Sequence, residues 1–239
     1  MQDAYIGDIG DYGKYGLLRT IYKNGISLAI NWYKVTPTKI GKQDDGKYIT
    51  YLFAPQFYRQ YDPTLFDALY KIVCIEQNRS IEAVQKAGLL CAEYYSDDIT
   101  SNRLSWHKNA LIQTAAADTV FLDPDNGLET FNMNNRGKTT NKHVKWSELK
   151  DYYSRGQNVI LYQHRPQMTK KEKCIENIMR FQREYLRADC VKLLEFPKYT
   201  NRFYFMFIHE KDRNIFDEVC ATMSQIWGLN DFCRETIVE

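Results

Sequence analysis

The run Thr119-Val120-Phe121-Leu122, closed by Asp123-Pro124, most narrows what this 239-residue chain can fold into. Apolar and β-branched residues held between an alanine-rich helical stretch and a proline break read as a strand buried on both faces. Such strands belong to sheets covered by helices on both sides. Similar short runs stand at residues 27–33, 92–96 and 158–162. Between them the apolar spacing is helical. Asp62 is an N-cap with Pro63 at the first helical position, a second helix runs from Ser80 to near Gly88, and others cover 101–117, 147–153 and 169–186. Leu17 to Tyr22 is helix-like and closes at Asn24-Gly25, and 38–47 reads as a loop. Alternation of this kind predicts a largely parallel sheet. The runs 191–196 and 202–208 are joined by a short turn containing Pro197 and must pair antiparallel, because a parallel crossover needs about a dozen residues or more. A last helix covers 212–227. The predicted fold is α/β: a Rossmann-like, methyltransferase-like, mostly parallel sheet with helices on both faces and a C-terminal antiparallel hairpin. No linker divides it, so one domain is expected over 1–239.

Composition excludes more than it assigns. A chain 44% hydrophobic and 26% charged can bury a core and is not a disordered segment. A net charge of +2 gives no uniform field, so nucleic acid would have to be held by a local basic patch. The six cysteines form no C-x-x-C pair, which argues against a zinc site and for reduced, mostly buried thiols. The start Met1-Gln2-Asp3-Ala4-Tyr5 lacks a basic n-region, and no run approaches the roughly 18 apolar residues of a membrane span. A cytoplasmic protein with no membrane partner is the expectation.

Ligands of open α/β sheets bind outside the carboxyl ends of the strands. The residues after Leu122 and after Tyr162 should therefore line one crevice: Asp123-Pro124-Asp125-Asn126-Gly127, and Gln163-His164-Arg165-Pro166. Asp123, Asp125, Asn126 and Glu129 gather three carboxylates and an amide within seven residues. They could act as acid, base or ligands of a hard cation, although the same residue types also make turns. His164 could be acid, base or metal ligand, and Arg165 could hold a phosphate. The opening Gly7-Asp8-Ile9-Gly10-Asp11-Tyr12-Gly13-Lys14-Tyr15-Gly16 is neither a P-loop nor a G-x-G-x-x-G turn after a strand. It could still bring backbone N–H groups to an anion, with Asp8, Gly10, Asp11 and Lys14 at a cofactor, or it could fold against the sheet with Asp11 capping the helix. Lys138, Lys142 and Lys145, then Lys170, Lys171 and Lys173, make the region after the Asp-Pro element locally basic, with Trp146 nearby.

The G-D-x-x-D-x-x-K-x-x-L-L opening, a strand ending in Asp-Pro and a following strand with a polar end resemble the S-adenosylmethionine-dependent adenine-N6 methyltransferases of 23S ribosomal RNA. In that family the Asp and a proline carbonyl of an Asp-Pro-Pro-Tyr element hold the target amine, and the aromatic ring stacks on the extruded base. The resemblance implies that Asp123 receives the amine, that Pro124 contacts the substrate and that Lys14 matches the lysine of the family's opening segment. Asp125 and Asn126 stand where the family has its second proline and its stacking ring. Lys34-Val35-Thr36-Pro37 stands where a glycine-rich cofactor turn would follow the first strand. Three readings are open. One is a base-amine methyltransferase using S-adenosylmethionine, with Asp123, Asp125, Asn126 and His164 as catalytic groups. Another is a hydrolase of phosphodiester, nucleotide or N-glycosidic bonds, with Mg²⁺ on Asp123, Asp125 and Glu129 or with the carboxylates alone. The third is a non-catalytic module binding nucleotide or nucleic acid. Oligomeric state is not indicated.

Overall fold

The computed structural model describes residues 3–35, 47–137, 139–165, 168–199 and 201–238. Pro37, the loop 38–46, Lys138 and Pro166 lie outside them. Helix α1 (Ile9–Lys23) leads into β1 (Leu28–Asn31). After the short α2 (Pro55–Tyr58) come α3 (Pro63–Tyr70) and α4 (Ile81–Lys86), then β2 (Ala92–Tyr95), α5 (Arg103–Gln113) and β3 (Thr119–Leu122). A small excursion, β4 (Gly127–Leu128), α6 (Phe131–Asn135) and β5 (His143–Val144), precedes α7 (Trp146–Ser154) and β6 (Asn158–His164). The chain closes with α8 (Lys171–Phe181), β7 (Cys190–Phe196), β8 (Arg202–Ile208), α9 (Arg213–Thr222) and β9 (Arg234–Thr236).

The seven-stranded sheet has the order β2-β1-β3-β6-β8-β7-β9. β2, β1, β3 and β6 are parallel; β8 is antiparallel to both β6 and β7, so β7 runs with β6. This is the Rossmann-like α/β sheet with a C-terminal antiparallel hairpin that the strand pattern predicts. Period-two alternation splits the core into two layers. Phe121, Ile160, Tyr204 and Met206 face α1, α3 and α9, whereas Val120, Leu122, Val159, Leu161, Phe203 and Phe205 face α5, α7 and α8. The predicted caps hold: Asp62 accepts from the Leu65 N–H and Ser80 from the Ala83 N–H.

Four expectations are corrected. α5 is shorter than 101–117, because Asn102 caps it by accepting from Ser105 N–H. β6 extends two residues past Tyr162, since Gln163 and His164 pair with Phe203 and Arg202 of β8. Three of the six free cysteines are buried, not most of them. The largest correction concerns the opening. α1 begins at Ile9, its cap is Asp8 and not Asp11, and Gly10, Gly13 and Gly16 lie inside the helix. Spacing by three brings them to one helical stripe. A Cβ built on them would come within 2.2 Å of Arg202 Nε, 2.6 Å of Phe196 Cδ1 and 2.1 Å of Trp227 Cζ2, respectively. Each glycine costs the helix about 1 kcal/mol relative to alanine, and close packing against β7, β8 and the C-terminal segment offsets it.

Gly16→Ala is therefore expected to lower stability. The indole of Trp227 is fully buried and cannot retreat, and overpacking of this kind costs about 1–3 kcal/mol, more than the propensity gained. Thermal unfolding of the variant should show a lower midpoint; a raised midpoint would mean that Trp227 makes room.

Candidate functional site

The chain runs from β1 to β2 on one side of β1 and then crosses to β3 on the other, so the crevice where strand order reverses lies at the carboxyl ends of β1 and β3. Asn31 ends β1 opposite Leu122, and the N–H of Asp123 donates to the Asn31 carbonyl at 3.0 Å. Asp123 is thus fixed by backbone at the carboxyl end of β3. Asp123 is 1% exposed, and Lys14, 4% exposed, donates from Nζ to Asp123 Oδ2 at 2.8 Å. The same ammonium reaches Asp11 Oδ1, also at 2.8 Å. Asp11 Oδ2 accepts from the Gly7 N–H and the Tyr15 hydroxyl, both at 3.1 Å. Asp8 Oδ1 accepts from the Asp11 N–H at 2.9 Å, and Asp8 Oδ2 lies 3.3 Å from an Arg202 guanidinium nitrogen. The result is a buried chain of charge, Arg202, Asp8, Asp11, Lys14 and Asp123, along one face of α1.

Burial raises the Asp123 carboxyl above its ordinary range, against the pull of Lys14; Lys14 itself, opposed by burial but facing two carboxylates, is held well above the ordinary lysine range. The firm direction is that the ammonium stays protonated. Asp8 is raised by burial, against Arg202. Over this chain lie Tyr162, whose ring centre is 5.7 Å from Lys14 Nζ, and Tyr204, 5.8 Å ring to ring from Tyr162. The Tyr204 hydroxyl is fully buried and has no hydrogen-bond partner among the described residues. Burial pushes its pKa far up, so it is a neutral donor.

The Asp-Pro loop is clamped from one side. Gln163 Oε1 accepts from the Leu128 N–H at 2.9 Å and its Nε2 donates to the Asn126 carbonyl at 3.0 Å. Gly127, at φ +99°, leaves room for it: a Cβ there would sit 2.1 Å from Gln163 Oε1. The Asn126 N–H donates to the Lys142 carbonyl. Glu129 is turned away from Asp123. It accepts from the Trp146 N–H at 2.7 Å and from Asn134 Nδ2 at 2.8 Å, and also from the Thr139 hydroxyl. It ties the loop to α6 and α7.

The sequence-predicted residues thus separate. Asp8, Asp11, Lys14 and Asp123 converge, and Gly10 packs on Arg202. Pro124 is buried beside them, while Asp125 and Asn126 are half-buried, Asp125 with Lys142 3.7 Å away. His164 lies in β6, in register with Arg202, and Arg165 follows the strand end. Asp123, Asp125 and Glu129 do not converge on a cation, and among the described residues no three His, Cys, Asp or Glu side chains are gathered as a metal centre needs. Gln163 falls within the segment expected to line the crevice, whereas Arg202, Tyr204 and Tyr162 are site groups that the sequence reading does not mark. The available signal was Arg202 and Tyr204 on one face of an otherwise apolar strand, RFYFMFI. Among the described residues no helix is long and apolar enough to cross a membrane. No family model and no curated protein sequence matches the chain.

Two outcomes follow from this geometry. Lys14→Met leaves Asp11 and Asp123 buried without their shared cation, a change that typically costs about 3–5 kcal/mol; urea unfolding should record it, and a loss below about 1 kcal/mol would show that the pair is not stabilising. Burial, with Arg202 and Arg165, holds His164 below the ordinary imidazole value. A depressed imidazole contributes stability above its unfolded pKa near 6.5 that is lost as pH falls through the folded value. The unfolding midpoint should therefore drop on acidification below about pH 6.5, and less steeply in His164→Asn; equal slopes would remove His164 as a cause.

Proposed function

We propose that this chain is a nucleic-acid-acting enzyme that receives the exocyclic amine of a base at Asp123, in the crevice at the carboxyl ends of β1 and β3. The observation that carries this reading is the shared ammonium. Lys14 binds Asp11 and Asp123 at equal distance, so it can lean on Asp11 and yield Asp123 Oδ2 to an incoming amine without losing its counter-charge. An ionised carboxylate is an acceptor that suits an N–H donor. The buried Tyr204 hydroxyl supports the reading: it is a polar group that the described chain does not satisfy, and its charged neighbours are Lys14, Arg202 and Asp123. An orphan of this kind costs free energy unless a ligand or water answers it. The basic segment also stands in a suitable place, because β5 pairs with β4 and so carries Lys142 and Lys145 beside the Asp-Pro loop. Phosphate contacts of that kind position a strand without reading its sequence.

The expected methyl donor, S-adenosylmethionine, is not matched at the end of β1. Asn31, Trp32 and Tyr33 are fully buried there, and no glycine turn follows the strand. The Asn31 side chain is engaged by the Tyr152 hydroxyl at 3.0 Å and by the Tyr33 N–H at 3.1 Å. Mg²⁺ is not matched either, since Glu129 is committed to the α7 N-terminus and, among the described residues, no three His, Cys, Asp or Glu side chains gather at one point. What the chain's own residues supply is recognition: Asp123 takes the amine, Lys14 and Asp11 hold the charge balance, and Gln163 keeps the loop in register.

Fluorescence anisotropy with short single-stranded oligonucleotides tests this. Those carrying adenine or cytosine should bind more tightly than matched ones carrying purine or uracil, by roughly tenfold or more for one charge-assisted hydrogen bond. Asp123→Ala, with folding checked by circular dichroism, should erase the difference, whereas Asp125→Ala should keep it. Equal affinity of the wild type for both sets would overturn the reading. Calorimetry with S-adenosylmethionine is a separate readout, and saturable heat would show that the β1 end accommodates it after all.

A further inference from the structure

We propose that the ring pair Tyr48 and Tyr199 is a stacking platform for an unpaired base of single-stranded nucleic acid, next to the base held at Asp123. The proposal rests on the function proposed above and supplies the aromatic surface that Asn126 cannot. Tyr199 lies in the turn between β7 and β8 at φ +63°, a conformation bulky side chains seldom adopt. In this turn Tyr199 is 54% exposed. One face is covered by Tyr48, with ring centres 4.8 Å apart and planes 18° from parallel. The Tyr58 phenol lies beside Tyr199 and flanks the pair. A ring that only sealed the hairpin onto Tyr48 would not need half of its surface in solvent. A fixed ring with an open face loses little side-chain freedom when a base stacks on it.

Cations surround the pair. Lys47 Nζ is 5.8 Å from the centre of the Tyr48 ring, and Lys198 precedes Tyr199. Arg202, the first residue of β8 after the turn, donates to the Lys198 carbonyl at 3.3 Å and reaches Asp8. The platform is tied to the site by backbone, since the Ile9 N–H donates to the Tyr48 carbonyl at 3.0 Å. From Ile9 to Lys14, α1 rises about 7.5 Å at 1.5 Å per residue. The platform thus hydrogen-bonds the start of the helix whose Lys14 holds Asp123, which orders the two positions with respect to each other.

Anisotropy with labelled single-stranded oligonucleotides of mixed sequence, at low salt, reads the platform. Tyr199→Ala should weaken binding by roughly 5- to 150-fold, the range given by loss of one base–aromatic stack, while Tyr199→Phe stays near the wild type. An oligonucleotide with an abasic residue at the stacking position should bind the wild type equally weakly and be indifferent to Tyr199→Ala. Unchanged affinity in Tyr199→Ala, or no oligonucleotide binding by the wild type, would overturn the proposal. A mononucleotide that binds as tightly as the oligonucleotide, and loses as much in Tyr199→Ala, would overturn the assignment to a polymer. Failure here and failure of the amine reading are distinguishable: Tyr199→Ala should act on every base, Asp123→Ala only on those with an amine.

Discussion

Lys14 is the interaction on which the rest of the site depends. A fully buried ammonium is tolerable only with counter-charge and complete hydrogen bonding, and its two carboxylates come from different parts of the chain: Asp11 one turn earlier on α1, Asp123 from the end of the central strand. The pair joins residues 109 apart in sequence. It therefore fixes how far α1 slides along the sheet, and the glycine stripe fixes how closely α1 approaches. Together they explain why a glycine-rich segment is helical here, despite propensity. Close packing and a buried ion pair outweigh a per-residue cost of about 1 kcal/mol.

The crevice is then held by two further sets of polar contacts. Gln163 fastens the Asp-Pro loop from β6. Arg103 and Glu148, joined at 2.6 Å and both buried, fasten the segment after it, since Arg103 also donates to the Thr140 and His143 carbonyls. Support on both sides leaves the Asp-Pro loop and the segment after it little freedom to rearrange. The Tyr204 hydroxyl, beside this site, is one of the buried polar groups without a hydrogen-bond partner among the described residues.

Much of the fold was legible because its determinants are local. Asp62-Pro63 and Ser80 start helices by capping chemistry that needs no tertiary context, and the short turn at Pro197 leaves antiparallel pairing as the available geometry. The position of Asp123 followed from the buried run before it. Less of the site was legible. Glu129 sits six residues from Asp123 and looks like a partner in sequence, yet the β4 excursion points it at the α7 N-terminus. His164 reads as a loop residue because the pairing that extends β6 comes from β8, a strand 38 residues further on.

The sequence by itself determined the strand and helix order, the hairpin and the placement of an acidic loop at a strand end, all set by periodicity, capping and turn length. Only the tertiary structure decided which charges meet. Arg202 reaches Asp8 across 194 residues and Lys14 reaches Asp123 across 109, because α1 packs over the sheet edge where β3 ends and the antiparallel β8 begins, both far from it in the chain. Contacts of that range depend on strand order and helix register, which no local pattern encodes. The glycine spacing was visible from the start; that it marks a contact stripe, and not an anion loop, is a property of what it packs against.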